Sequence, residues 1–470
     1  MINVKEELKK YEVLKTASKA AEEVGVEAYA VGGFIRDLIL KKEVEDIDFL
    51  IVGDVMKYAQ TFAASLGIND IVIFKTFGTA HFNHHGLNFE FVGARKESYR
   101  KSSRKPDVSE GTFLDDISRR DFTINTIAVS ILNENFGEVI DHFNGISDIE
   151  NKLIRTPLDP KVTFDDDPLR ILRAFRFASQ LNFSVDDSIM NAAEELRDRL
   201  EIVSQERKTD EFLKILKSPK PSIGLKLLQQ TKVMEVVFPE ISQMIGVEQR
   251  EDYHHKDVFF HTLEVVDNIS KKSDDVWLRL AALVHDIAKP RTKKFVEGTG
   301  WTFHGHEELG ARMMKSVFRR IKLPMNKLDY VERLVRLHLR PVALVSDTVT
   351  DSAIRRLIVA ADEYLEDLIT LCRADITSKN PDKVERYLQN YEVVMKKVLE
   401  VQEKDKLRAF QSPVSGEVIM QACSLTPSKK VGEIKTAIEE AILDGIIGNN
   451  YEEAYDYLLK IKDDFLKDKS

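Results

Sequence analysis

The segment Asp46-Ile47-Asp48-Phe49-Leu50-Ile51-Val52 most narrows what this chain can fold into. It reads as a β-strand with a polar start and a buried body. Residues i and i+2 of a strand point to the same side, so both carboxylates face one way. Phe49, Ile51 and Val52 carry the strand on into a core. Two hard oxygen ligands at fixed spacing suit Mg²⁺, which takes carboxylates together with substrate phosphates. Shortly before stands Val31-Gly32-Gly33-Phe34-Ile35-Arg36-Asp37. A Gly-Gly turn lets backbone amides approach a phosphate closely. A solvated acidic turn before a buried strand would give the same D-x-D pattern, and the upstream element favours the metal and phosphate reading.

A length of 470 residues suits two to four domains. The pattern along the chain predicts an α+β protein. Residues 1–150 mix helix and strand signals, as a domain built on a mixed sheet would. Mainly helical parts follow: a neck and body over 151–245, a histidine-rich domain over 246–405 and a tail over 406–470. Strands are expected at 28–31, 47–52, 70–74, 79–83 and 87–93, and a helix over 166–179 from the spacing of Leu169, Leu172, Phe175 and Phe177. Two cysteines, Cys372 and Cys423, exclude a disulfide framework and a thiolate zinc site. No run reaches the roughly 18 apolar residues of a membrane span. The N-terminus lacks a signal-peptide core, so the cytoplasm is the expected location. The net charge of −9 argues weakly against nucleic-acid binding. Lys96, Arg100, Lys101, Arg104 and Lys105 nevertheless cluster, as do Arg170, Arg173 and Arg176, and phosphate contacts need only a local basic surface.

Further segments carry chemistry. Phe77-Gly78-Thr79-Ala80 precedes a strand containing Glu90. Then come Arg119-Arg120-Asp121-Phe122-Thr123-Ile124-Asn125, the turn-rich Asp141-His142-Phe143-Asn144-Gly145, the run Asp166-Asp167-Pro168-Leu169-Arg170 continuing to Arg173, Arg176 and Phe177, and Glu206-Arg207-Lys208-Thr209-Asp210-Glu211. Phosphoryl transfer needs in-line positioning and neutralised charge, which Asp46 and Asp48 can supply through metal ions. Glu90 is a candidate third carboxylate, or a charge on an exposed strand face. Asp167 and Arg170, at i and i+3 of the expected helix, share a face. Cytosine and adenine both offer an exocyclic amino donor beside a ring-nitrogen acceptor. An aspartate accepts from the first and an arginine donates to the second, whereas guanine and uracil present the opposite pattern. An ordinary intrahelical ion pair would have the same spacing.

This ordered set resembles the class II tRNA nucleotidyltransferases, the CCA-adding enzymes and their poly(A) polymerase relatives, over about residues 25–240. The resemblance implies a polymerase-β-like head with a helical neck, body and tail. It implies addition of C, C and A to tRNA from CTP and ATP without a nucleic-acid template. Asp46 and Asp48 would hold catalytic Mg²⁺. Gly32, Gly33, Arg36 and Asp37 would lie at the triphosphate. Arg119 or Arg120, with Asp121 and Asn125, would support sugar and phosphate. Asp167 and Arg170 would read the base with Arg173 and Arg176 nearby, and Glu206, Arg207 and Glu211 would brace the reader helix. The reader begins Asp166-Asp167 where the family usually has Glu-Asp, which keeps the charge. The basic stretch 93–106 reads as a mobile loop, either a solvated linker or, by the resemblance, an aid to the switch from C to A addition.

A second constellation lies downstream. His261 is followed by Leu283-Val284-His285-Asp286-Ile287-Ala288-Lys289, then His304, His306, His338 and Asp375. Imidazole and carboxylate ligands together suit borderline divalent metals. Residues 254–380 resemble the HD domain, a metal-dependent phosphohydrolase fold. His261, His285, Asp286 and Asp375 match its core ligands, His306 and His338 match positions that can hold a second metal or phosphate, and Lys289 matches a phosphate contact. The resemblance leaves the metal and the substrate open. The tail resembles the family's RNA-contacting tail, and a capping helical bundle would have the same pattern. Within the same fold the alternatives are a poly(A) polymerase or a CC-only or A-only adding enzyme. A different class is an HD phosphohydrolase whose head binds nucleotide without catalysis.

Overall fold

The computed structural model describes residues 3–74, 78–100, 103–251, 254–345, 349–378, 380–405 and 412–466. Phe77, and Lys101 within the basic stretch, lie outside them. The chain divides into two compact units, Met1–Ser242 and Gln243–Ser470.

The first unit is built on a sheet of seven strands. They are β1 (Glu27–Val31), β2 (Asp46–Val52), β3 (Val72–Phe74), β4 (Thr79–His84), β5 (Leu87–Gly93) and, after a separate hairpin of β6 (Arg95–Arg100) and β7 (Ser103–Glu110), β8 (Ala128–Ser130) and β9 (Val139–Ile140). The spatial order is β3-β4-β5-β2-β1-β8-β9. Only β2 and β5 run parallel; the other neighbours are antiparallel. The sheet is therefore mixed, as the sequence implies. Five strands fall close to their expected places, while β8 and β9 are short additions at the far edge.

β2 sits at the centre because both of its faces are apolar beyond Asp48. Ile47, Phe49 and Ile51 are fully buried on one side. There Phe49 stacks on Phe91 at 5.2 Å, with Phe62 of the helix Val55–Ser65 at 6.0 Å. Aromatic pairs at these separations add to the burial of their area. The opposite side carries Asp46, Asp48 and Leu50. Leu50 packs with Val31, Ile117 and Ala128, which leaves the carboxylates at the polar end of an otherwise buried strand.

The basic stretch expected as a mobile loop is a two-stranded antiparallel ribbon, with a register irregularity between Ser98 and Arg100. Cross-strand backbone hydrogen bonds replace the missing apolar anchors.

Helices follow. Pro160–Asp166 stops at Asp167, and Leu169–Leu181 begins after Pro168. The sequence run is thus two helices, because proline disfavours the helical conformation of the residue before it. Leu169–Leu181 packs against Gln205–Lys217 and Pro221–Gln230. Gly224 makes the second contact possible: a Cβ there would lie 2.5 Å from Ser179 Oγ, to which the Gly224 amide donates at 2.7 Å.

The second unit is mostly helical. Val258–Ser270, Val276–Val284, His306–Arg320, Leu328–Leu337 and Leu365–Ala374 form its main bundle. Three later helices, Gly416–Cys423, Lys429–Leu443 and Tyr451–Leu466, share a core of Val414, Ile419, Ile434, Ile438 and Leu458. Among the described residues no helix is long and apolar enough to cross a membrane.

Candidate active site and metal cluster

The register of β2 and β5 sets Asp48 opposite Glu90 and Asp46 opposite Asn88. Asn88 Nδ2 donates to Asp46 Oδ1 at 2.9 Å. The three carboxylates therefore share one edge, and Glu90 belongs with the aspartates in space. Burial, then the Glu90 and Asp46 charges, push the Asp48 carboxyl up to about 6, against the opposing pull of Arg120 and the Gly33 amide. A carboxylate kept in such a place wants a cation beside it, and the donor set of hard oxygens fits Mg²⁺.

Gly32 has φ +72°, and a Cβ there would stand 3.0 Å from Asp48 Oδ2 and 3.1 Å from Arg120 Nη1. Glycine is required on both counts. The next residues begin the short helix Gly33–Ile39. Arg36 on that helix donates to Asp37 through Nε at 3.0 Å and Nη2 at 2.6 Å, and through Nη1 to Asn125 Oδ1 at 2.8 Å. Asp37 thus holds Arg36 in place.

The tandem arginines are organised by a residue that the sequence reading missed. Asp116, fully buried, accepts from Arg119, and from Arg120 through Nε at 3.2 Å and Nη2 at 3.1 Å. Its signal was present as spacing, since Asp116 lies three and four residues before the pair on a helical segment. Arg120 reaches the Asp48 side, while the Arg119 carbonyl accepts from Arg170 Nη2 at 2.7 Å.

Asp167 is not on the helix that bears Arg170. It occupies the break, in extended conformation, and its Oδ1 accepts from the Leu169 amide at 3.2 Å. Arg170, Arg173 and Arg176 project from Leu169–Leu181. Arg173 donates to Asp121 Oδ2 through Nε at 2.9 Å and Nη2 at 2.5 Å. Asn125 Nδ2 donates to the other Asp121 oxygen at 2.9 Å. Burial alone would raise the Asp121 carboxyl; the Arg173 guanidinium and these hydrogen bonds overcome it and hold the group well below the usual carboxylate range. Arg176 Nε lies 3.0 Å from Glu211 Oε2, which joins Leu169–Leu181 to Gln205–Lys217. Glu206 and Arg207 are exposed at the first turn of Gln205–Lys217.

Phe177 ties these groups together. The guanidinium carbons of Arg36, Arg173 and Arg176 lie 5.0, 5.5 and 4.4 Å from its ring centroid, all within cation–π range. The sequence reading took Phe177 for core packing only. A cleft of about 990 Å³ is lined by Gly32, Gly33, Arg36, Asp46, Asp48 and Glu90 on one wall and by Asp167, Arg170, Arg173, Arg176, Phe177 and Arg207 on the other, with Arg119, Arg120, Asp121 and Asn125 between.

In the second unit the helices bring all six expected ligands together. His261 Nε2 is 2.8 Å from Asp375 Oδ1 and 3.8 Å from Asp286 Oδ2. His285 Nε2 is 3.2 Å from Asp286 Oδ2, and His306 Nε2 is 3.2 Å from Asp286 Oδ1. His306 and His338 approach Nε2 to Nε2 at 3.3 Å. The other ring nitrogens are fixed from behind: Nδ1 of His285, His306 and His338 contact the carbonyls of Ala282, Phe303 and Val335 at 2.8, 2.7 and 2.7 Å. Such backing sets the tautomer of a metal-binding imidazole. Two ligand groups suit metal ions: His261, His285 and Asp286; and Asp286, His306 and His338. His285 Nε2, both Asp286 oxygens and Asp375 Oδ1 are buried without a directed hydrogen bond, although ion-pair distances surround them. Buried imidazole and carboxylate donor atoms converging on one point fit a cation. Burial disfavours the charged His285 ring, but Asp286 and Asp375 outweigh it and push it up to about 10. Burial and the neighbouring His285 drive His338 down to about 4. Lys289 Nζ lies 2.6 Å from Asp286 Oδ2. His304 is exposed.

A mixed-sheet head with an acidic strand edge facing an arginine-rich helix, followed by a helical His–Asp bundle, defines a nucleotidyltransferase joined to an HD domain. Residues 28–155 match the poly A polymerase head domain, 182–245 the probable RNA and SrmB-binding site of polymerase A, and 258–379 the HD domain. The A-adding tRNA nucleotidyltransferase of Deinococcus radiodurans is 33% identical over 348 residues, 72% of this chain and 77% of that protein. The multifunctional CCA protein of Shewanella frigidimarina is 32% identical over 312 residues, 64% of this chain and 71% of that one. The structure of a CCA-adding enzyme in its apo form II superposes with a TM-score of 0.64 at 23% identity, covering 96% of each chain; this likeness concerns the fold. The chain belongs to the tRNA nucleotidyltransferase family, whose members include A-adding and CCA-adding enzymes.

Proposed function

We propose that this enzyme adds CCA to the 3′ end of tRNA, using CTP and ATP. The observation that carries the reading is the shared cleft, in which Asp46, Asp48 and Glu90 face Asp167 and Arg170. The RNA 3′-hydroxyl gives its proton to solvent, its oxygen bonds to the α-phosphorus, the α–β phosphoanhydride bond breaks, and pyrophosphate leaves. Mg²⁺ held by Asp46 and Asp48 would neutralise the triphosphate and favour the alkoxide. Arg36, Arg119 and Arg120 orient the phosphates. Asp167 and Arg170 read the amino and ring-nitrogen edge shared by cytosine and adenine, with Arg173 and Arg176 anchoring the helix through Asp121 and Glu211. The head, 1–150, supplies the chemistry, and the neck and body, 151–245, supply base reading.

A-only addition is the second reading, supported by the likeness to the Deinococcus radiodurans A-adding enzyme. The test is extension of tRNA ending before CCA with CTP and ATP, singly and together, followed by 3′-end sequencing. CCA ends support the proposal. Extension only of tRNA already ending in CC supports A-only addition, and long A tails support a poly(A) polymerase.

For the second unit, 246–405, we propose a divalent metal held by His261, His285, Asp286 and Asp375, with His306 and His338 completing a neighbouring position. The convergence of these imidazoles and carboxylates in the buried interior supports it. A bound cation of this kind activates water for phosphoester hydrolysis, and Lys289, paired with Asp286, would meet a phosphate from beside it.

A further inference from the structure

Between Lys289 and His306 the chain leaves the helical bundle as a hairpin, Lys294–Val296 paired with Gly300–Thr302. Phe295 and Trp301 are register partners, their rings 5.3 Å apart and edge to face. They pack on each other and still remain 65% and 42% exposed. Lys293 Nζ lies 4.4 Å from the Trp301 ring centroid, and Lys294 and Arg291 are exposed beside them. Across residues 291–301 three basic side chains meet one acid, Glu297, in a chain of net charge −9.

The base of this hairpin is bolted to the His–Asp cluster. Lys289 lies 2.6 Å from Asp286 and 5.6 Å from the Phe303 ring centroid. The Phe303 carbonyl holds His306 Nδ1 at 2.7 Å. The ribbon is therefore anchored at both ends to residues that touch the cluster. A protein-docking face is depleted in lysine, whereas this one carries Lys293 and Lys294 beside its rings. Aromatic rings interleaved with cations are the composition that binds single-stranded nucleic acid, because every base has a face to stack and every nucleotide a phosphate to pair.

We propose that this hairpin is a stacking platform for unpaired nucleotides at an RNA 3′ end, with Phe295 and Trp301 taking the bases and Lys293 and Lys294 the phosphates. It makes RNA ends the substrate class of the neighbouring cluster, and that last step rests on the metal reading above. Binding to the platform does not.

The two tryptophans, Trp277 and Trp301, make a direct test possible. In full-length Trp277→Phe protein the emission reports Trp301 alone. Titration with the single-stranded ribonucleotide ACCA in EDTA should quench it saturably. Phe295→Ala should weaken binding by on the order of tenfold. A Lys293→Ala, Lys294→Ala double variant should weaken it and flatten its salt dependence. Because the titration is run in EDTA, failure of the metal reading leaves the platform standing. Absence of quenching, or identical titrations with Phe295→Ala, overturns the proposal. So does self-association abolished by Phe295→Ala without any effect of RNA, which would make the hairpin a contact between copies.

Discussion

Asp48 and Glu90 face each other across β2 and β5, the one parallel pair in the sheet. Asp46 lies two residues away, and burial, followed by the Glu90 and Asp46 charges, drives the Asp48 carboxyl up to about 6. Asp46→Ala and Asp48→Ala should each lower nucleotide incorporation by about 10³-fold, the scale of losing an electrostatic clamp on the reacting group. Asp48→Asn should melt no lower than the parent in EDTA, because a charge that burial disfavours is removed. Normal extension rates in both alanine variants would show that the edge is not catalytic.

Asp116 predicts a structural cost with a functional echo. Asp116→Asn leaves Arg119 and Arg120 without their buried counter-charge, and breaking such a pair costs about 3 kcal/mol. Denaturant unfolding measures this. In the folded fraction, KM for CTP and ATP should rise more than kcat falls, since the arginines orient phosphates and do not react.

Phe177 can be tested by shape. Phe177→Leu keeps an apolar side chain but loses the ring face that three guanidiniums share. At about 0.5–1 kcal/mol per contact, discrimination between CTP and UTP should fall several-fold. Phe177→Tyr should restore it. An unchanged discrimination ratio in the leucine variant would reduce Phe177 to packing.

Asp121 sets a pH dependence. Its folded-state value lies below the unfolded one, so its stabilisation is complete above about pH 4 and is lost as pH falls below that. Asp121→Asn should therefore cost about 2 kcal/mol at pH 7. The gap in melting temperature to the parent should stay constant down to about pH 4 and close below it. A gap that widens in acid would contradict the sign.

Metal analysis tests the second unit. Purified protein should carry divalent metal that a His285→Ala, Asp286→Ala double variant lacks, while head-dependent extension of RNA continues. Retention of full metal content by the double variant refutes the ligand set.

The sequence by itself determined β1 to β5 and the chemistry placed on them. The alternation Asp46-Ile47-Asp48 before an apolar run fixes a strand with a polar end. The Gly32-Gly33 step and the His285-Asp286 pair are local patterns with local causes. Tertiary structure decided what no spacing encodes. Glu90 reads equally as an exposed strand charge until the parallel register of β2 and β5 brings it to Asp48. Asp167 was read onto the helix, and Pro168 moved it to a cap. Phe177 looked like core until Arg36, remote in sequence, came to lie over its ring. The basic ribbon β6–β7 was read as a loop because it lacks apolar anchors, and strand pairing supplies its order instead. Local patterns report what neighbouring residues can do to each other. Which distant charge or ring completes a site depends on packing, because burial and Coulomb interaction act through space and not along the chain.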